Sequence, residues 1–207
     1  MAFVHASSCE CNKSELDLFT VPPTQTALED SQWIEHRPIT ALTDNGPIEF
    51  LVPGSGDEYV SLSQSYFQVT AQILKPDGEN LIQTAATDPD IGVGPINLWL
   101  HSIFSQIDVS LNERLITPST NTYPYRAYLE TLLSYGPAAK GSQLQGALWY
   151  KDTAGHMDST SYNSGYTNRQ KWTKNSKDVT MYGIPHLDLW FQDRLILNGV
   201  NIKMRLI

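Results

Sequence analysis

The chain has 207 residues, 41% hydrophobic, 10% aromatic and 17% charged, enough to bury a sizeable core and unlike the composition of a disordered chain. A formal net charge of -8 opposes long-range attraction to nucleic acid or an anionic membrane, and Lys171, Lys174 and Lys177 are too sparse to form a basic patch. No stretch approaches the roughly 18 uninterrupted apolar residues of a spanning helix, and the first residues lack the basic start and hydrophobic core of a secretory leader.

The chain is therefore expected to fold in the cytosol or nucleus, where the sequon Asn12-Lys13-Ser14 stays unmodified. Cys9, Cys11 and His5 offer three metal ligands where structural zinc takes four, so they read as an exposed tail with reduced thiols. The prolines of VPPTQT break regular structure, which marks 1–30 as a flexible amino-terminal arm and 31–207 as a single domain. Trp33–Leu42 predicts a first strand, ended by the turn Asp44-Asn45-Gly46-Pro47, and Ile48–Val52 predicts a second. Gly54-Ser55-Gly56 fits neither a nucleophile elbow nor a phosphate loop and reads as a turn. Phe67, Val69, Ala71 and Ile73 then alternate with Gln68, Thr70 and Gln72, the pattern of a half-buried strand. Val60 and Leu62 have the opposite parity, which requires a bulge or short turn near Ser63–Ser65.

Lys75-Pro76-Asp77-Gly78 is a turn, and TAATDPDIGVGP beyond it has no helical period. Within that loop, Asp88-Pro89-Asp90 lacks the ligand spacing of a calcium hand and reads as solvated acids. Leu100, Ile103, Phe104 and Ile107 have helical spacing while Ile107, Val109 and Leu111 alternate, predicting a short helical turn that runs into a strand. The clearest helix is Tyr123–Tyr135: Pro124 suits its first turn, Tyr125, Tyr128, Leu129, Leu132 and Tyr135 share a face, and Gly136-Pro137 ends it. Ala138–Asp178 predicts a long, partly ordered surface excursion whose aromatics, Trp149, Tyr150, Tyr162, Tyr166 and Trp172, suit protein contact. Leu187, Leu189 and Phe191 alternate as in a strand. Asn198-Gly199 is a hairpin signal that places Val200, Ile202, Met204 and Leu206 on the core face and Asn201, Lys203 and Arg205 away from it. Ending inside that strand reads as truncation or a cut at a domain boundary, with a partner or second domain expected beside it.

Several short strands, long excursions, one helix and no repeated crossover helices predict an all-β fold, an antiparallel jelly-roll β-sandwich with one inserted α-helix and long loops. The blocks WIEHRPITAL, GPIEFLVPGSGDEYVSLSQSYFQVTAQILKPDG, LHSIFSQIDVSLNERLI, YPYRAYLETLLSYG and LILNGVNIKMRLI resemble the amino-terminal jelly roll of the double jelly-roll major capsid proteins of Polinton (Maverick) elements and adintoviruses. The resemblance spans Trp33 to Ile207 as ordered blocks. It implies two tandem jelly rolls in the parent chain, of which this is the first, and trimeric capsomers of pseudo-hexagonal outline. It also implies contacts with neighbouring capsomers and with other capsid proteins such as a penton protein, in a virion made in the host cytoplasm or nucleus. Such a subunit works by packing, without catalysis, cofactor or direct nucleic-acid binding.

The histidines, His5, His36, His101, His156 and His186, are widely spaced and form no His-x-His or His-Glu-x-x-His pair. His186 and Asp188, two apart on an expected strand, could offer two ligating side chains on one face, but no third ligand accompanies them. No catalytic, cofactor-binding or metal residue is assigned on this reading. Behind the structural role stand a lectin-like jelly-roll binding module using the Trp149 to Trp172 aromatics and, further back, a cupin-type enzyme.

Overall fold

The computed structural model describes residues 30–42, 46–54 and 56–207. The expected arm up to residue 29, with His5, Cys9, Cys11 and the Asn12 sequon, lies outside the described residues, as do Asp44, Asn45 and Ser55 of the two expected turns. The chain divides into two units, Met1–Glu35 and His36–Ile207. In the first, residues 30–35 have no regular secondary structure and expose Trp33 and Ile34.

In the second unit, the stretch up to Leu42 forms no strand, which corrects the expected first strand at Trp33–Leu42. Pro38 has no amide hydrogen to give a ladder. What remains is an irregular clasp: Ile39 N–H donates to Glu49 O (2.8 Å), and Glu49 N–H donates to Thr40 Oγ1 (3.0 Å). The strands are β1 (Ile48–Val52), β2 (Phe67–Ala71), β3 (Ile107–Leu111), β4 (Arg114–Leu115), β5 (Val179–Gly183) and β6 (Ile202–Leu206). Among the described residues they form two antiparallel sheets, ordered β1-β6-β3-β4 and β2-β5.

Local signals account for most of these strands. In β2 Phe67 is buried, Val69 and Ala71 are half-buried, and Gln68 and Thr70 are exposed. The parity conflict upstream is resolved by a turn at Ser63–Gln64, where Ser65 donates both its N–H and its hydroxyl to Leu62 O. That turn lets Leu62 and Phe67 enter one core. Asn112 and Glu113 both take positive φ between β3 and β4, the backbone of a two-residue hairpin turn. Gly199, at φ 74°, allows the turn before β6.

β6 buries Ile202 and Leu206, half-buries Met204 and exposes Lys203 and Arg205, as the alternation predicts. The turn at Asn198-Gly199 does not close a hairpin, however. The segment before it meets Val60 through Ile196, while β6 inserts between β1 and β3. Both edges of β6 are thereby occupied. Ile107 and Val109 of β3, Ile202 and Leu206 of β6, Phe67 of β2 and Val179 and Met181 of β5 share one buried cluster with Leu98, Leu100 and Trp149. The two sheets thus cover a common core, an arrangement compatible with a β-sandwich.

Helices are more numerous than the single one expected: α1 (Trp99–Ser102), α2 (Tyr123–Ser134), α3 (Pro137–Lys140) and α4 (Ser164–Thr173). The stretch Ala138–Asp178 is an ordered part of the fold, because Ala147, Leu148 and Trp149 enter the core and α4 is anchored by buried Arg169. Leu187, Leu189 and Phe191 do not alternate on a strand. Asp188–Phe191 is a 3-10 turn, and its three-residue spacing buries Leu187 and Trp190 while Phe191 faces out.

Candidate functional site

Helix α2 has two faces of different character. Pro124 stands in its first turn, where its missing amide hydrogen costs nothing. Tyr123, Ala127 and Thr131, four apart, form the buried face. Tyr125, Leu129, Leu132 and Leu133 are exposed, Tyr125 by 73% and Leu133 by 85%. The sequence periodicity gathers Tyr125, Tyr128, Leu129 and Leu132 on one side, and most of that side faces outward; Tyr128 alone among these four packs inward, its ring 5.4 Å from that of Trp149. An open groove of about 470 Å³ runs along the outer side, lined by Thr122, Tyr125, Arg126, Leu129 and Leu133.

Beneath this helix lies a polar network that local pattern did not reveal. The rings of His101 from α1 and His186 meet edge to face with centroids 4.7 Å apart, and both side chains are buried. The Tyr123 hydroxyl accepts the backbone N–H of His186 (3.3 Å) and lies at hydrogen-bond distance, 2.8 Å, from His101 Nδ1. His186 Nδ1 donates to Glu130 Oε2 (2.8 Å), while Thr131 Oγ1 approaches His186 Nε2 at 3.5 Å. Arg126 links the interior to the surface, binding Glu130 at 2.7 Å and Asp188 at 2.5 Å.

Burial sets the proton affinities here. It pushes His101 well below the ordinary imidazole range, and the neighbouring His186 adds to the effect. It also lowers His186, against the opposing hydrogen bond that His186 gives to Glu130. Burial raises the Tyr123 phenol, so a neutral hydroxyl faces two neutral imidazoles. Arg126 is held charged first by Asp188 and then by Glu130.

His186 and Asp188 do not converge as a ligand pair, because the 3-10 turn leaves one side chain buried and the other 83% exposed and bound to Arg126. Among the described residues, no group of three or more His, Cys, Asp or Glu side chains is placed to hold a metal ion. His36 is half-buried, and the exposed His156 stacks at 5.8 Å on Tyr162. Asp88 and Asp90 staple their own loop instead of standing free. Asp88 Oδ2 accepts the N–H groups of Thr84 and Ala85 at 2.6 Å each, which with the Thr84 hydroxyl lowers its proton affinity, the Ala85 bond first. Asp90 accepts Ile82 N–H at 2.8 Å.

The aromatics of the 149–172 stretch separate. Trp149 is in the core, and Trp172 is half-exposed with its Nε1 donating to the Tyr150 hydroxyl (2.8 Å) beside Asn168, Lys171 and Lys177 around an open hollow.

An uncharacterized protein of Caenorhabditis elegans is 29% identical over 188 residues, a match covering 89% of this chain and 42% of that protein. The chain thus spans less than half the length of the curated relative it matches. No family model matches the chain. No solved structure matches it.

Proposed function

We propose that the chain is a structural subunit, the amino-terminal jelly roll of a double jelly-roll major capsid protein, which assembles by side-by-side packing into trimeric capsomers. The observation that carries this reading is the outward apolar side of α2, where Tyr125, Leu129, Leu132 and Leu133 stand together in the open. Contiguous exposed apolar surface of this kind marks protein contact sites. Two antiparallel sheets over one core agree with the sandwich such a subunit requires. The 42% share of the C. elegans relative leaves room in that protein for a second domain of similar size. Repeated weak contacts in a closed shell then gain strength through multivalency.

Light scattering on the purified chain at rising concentration tests the reading. Trimers are expected, and Leu133→Asp should return them to monomers without loss of helix signal, since that side chain points outward. A wild-type chain that stays monomeric throughout, or a variant that assembles unchanged, overturns the assignment.

A second reading rests on the half-exposed Trp172 beside Lys171 and Asn168, an aromatic platform with polar neighbours suited to a sugar ring. Binding on a glycan array that disappears in Trp172→Ala supports a lectin-like module; a blank array removes it.

A further inference from the structure

The buried pair His101 and His186 joins three separate parts of the chain, α1, α2 and the segment before the Asp188–Phe191 turn. Its hydrogen bonds can all be made with both rings neutral. The Tyr123 hydroxyl can give its hydrogen to an unprotonated His101 Nδ1 while its oxygen accepts His186 N–H. Two charged rings with centroids 4.7 Å apart would repel in a desolvated interior.

The other charged or titratable groups of the cluster are on α2 and beside the 3-10 turn. Glu130, which also pairs with Arg126, can answer one further cation, on His186, and Asp188 pairs with Arg126 at the surface. Phe67 and Phe191 pack on His101 and His186 respectively and supply no charge. The cluster thus has one carboxylate for two potential cations.

We propose that the His101–His186 pair is an acid-sensitive latch: with both rings neutral it holds α2 against α1 and the 183–190 segment, and proton uptake releases α2. The inference does not depend on the capsid reading, since it concerns the attachment of α2 within one chain. Its consequence is that the outward apolar side of α2 changes position in response to acid.

Hydrogen exchange on the full chain, corrected for the intrinsic pH dependence of amide exchange, tests this between about pH 7.5 and about pH 5, a range that brackets the ordinary imidazole value. Opening of the Tyr123–Ser134 amides should rise about tenfold per pH unit for each proton taken up, while the Ser164–Thr173 amides of α4, which lack such a pair, should not follow. His101→Asn with His186→Asn should abolish the acid response. An equal response of α2 and α4, or an acid response of α2 that persists in the neutral double variant, overturns the proposal. If the double variant does not fold, imidazole resonances of the wild type decide instead. The latch requires that the two buried rings are not charged together until α2 loses protection, and two rings that both gain protons while α2 stays protected overturn it.

Discussion

Arg169 shows how a single side chain can hold a long excursion in place. It is buried on α4, donating through Nε to Pro95 O (3.1 Å) and through Nη1 to Tyr150 O (3.1 Å) and Asp152 Oδ1 (2.9 Å). Asp152 also accepts Asn163 Nδ2 (2.8 Å) from the cap of α4 and Asn97 Nδ2 (3.1 Å), so α4 and the Asn97 segment share one carboxylate. Arg169→Ala leaves that carboxylate buried without its cation and should cost about 3–5 kcal/mol in a urea titration. Asp188→Asn, which breaks the exposed pair with Arg126, should cost less than about 1 kcal/mol. Equal costs would mean that burial of the Arg169 pair has no energetic consequence. Nothing in the sequence around Arg169 signals this role, because its partners lie 17, 19 and 74 positions away.

Among the elements, legibility follows the range of the interaction that forms each one. β2 and β6 are readable because a sheet with one face on the core writes its environment as a two-residue period. α2 is readable as a helix from Pro124 and its apolar spacing, but its buried side is not: Tyr123 and Thr131 turn inward to meet His186, 63 and 55 positions away. The assigned facing of β6 gives a direct comparison. Ile202 pairs with Val52 and Leu111 in the sheet interior, so Ile202→Asp should destabilise the fold by about 4 kcal/mol or more. Lys203 faces out and pairs with Glu49 at 2.9 Å, so Lys203→Gln should change the melting midpoint by the equivalent of less than about 1 kcal/mol. Gly54 tests the approach to the same strand. A Cβ there would lie 2.4–2.5 Å from the backbone of Val200, so Gly54→Ala must move one of the two chains and should cost about 2 kcal/mol, measured in the same melts.

At the scale of the whole molecule, the two sheets and the Trp149 segment share one core. The sequence periods identify the surfaces that face this core but not the sheet order, since the placement of β6 between β1 and β3 depends on contacts across most of the chain. The histidines make that core sensitive to pH, and the sign follows from their burial. His101 and His186 both bind protons less readily folded than the ordinary value of 6.5 at which an unfolded chain binds them. Above about pH 6.5 neither state carries these protons and stability is at its full value. Below it the unfolded chain gains protons that the folded chain refuses, so stability falls with pH until the folded values are reached. With two such groups the slope approaches about 2.7 kcal/mol per pH unit, twice the single-proton value. Asp88, lowered in the folded state, loses its contribution only at the still lower pH where carboxylates protonate. Urea midpoints should therefore begin to fall below about pH 6.5, ahead of carboxylate titration. Midpoints that stay level down to about pH 5 would show that the imidazoles take up protons equally in both states.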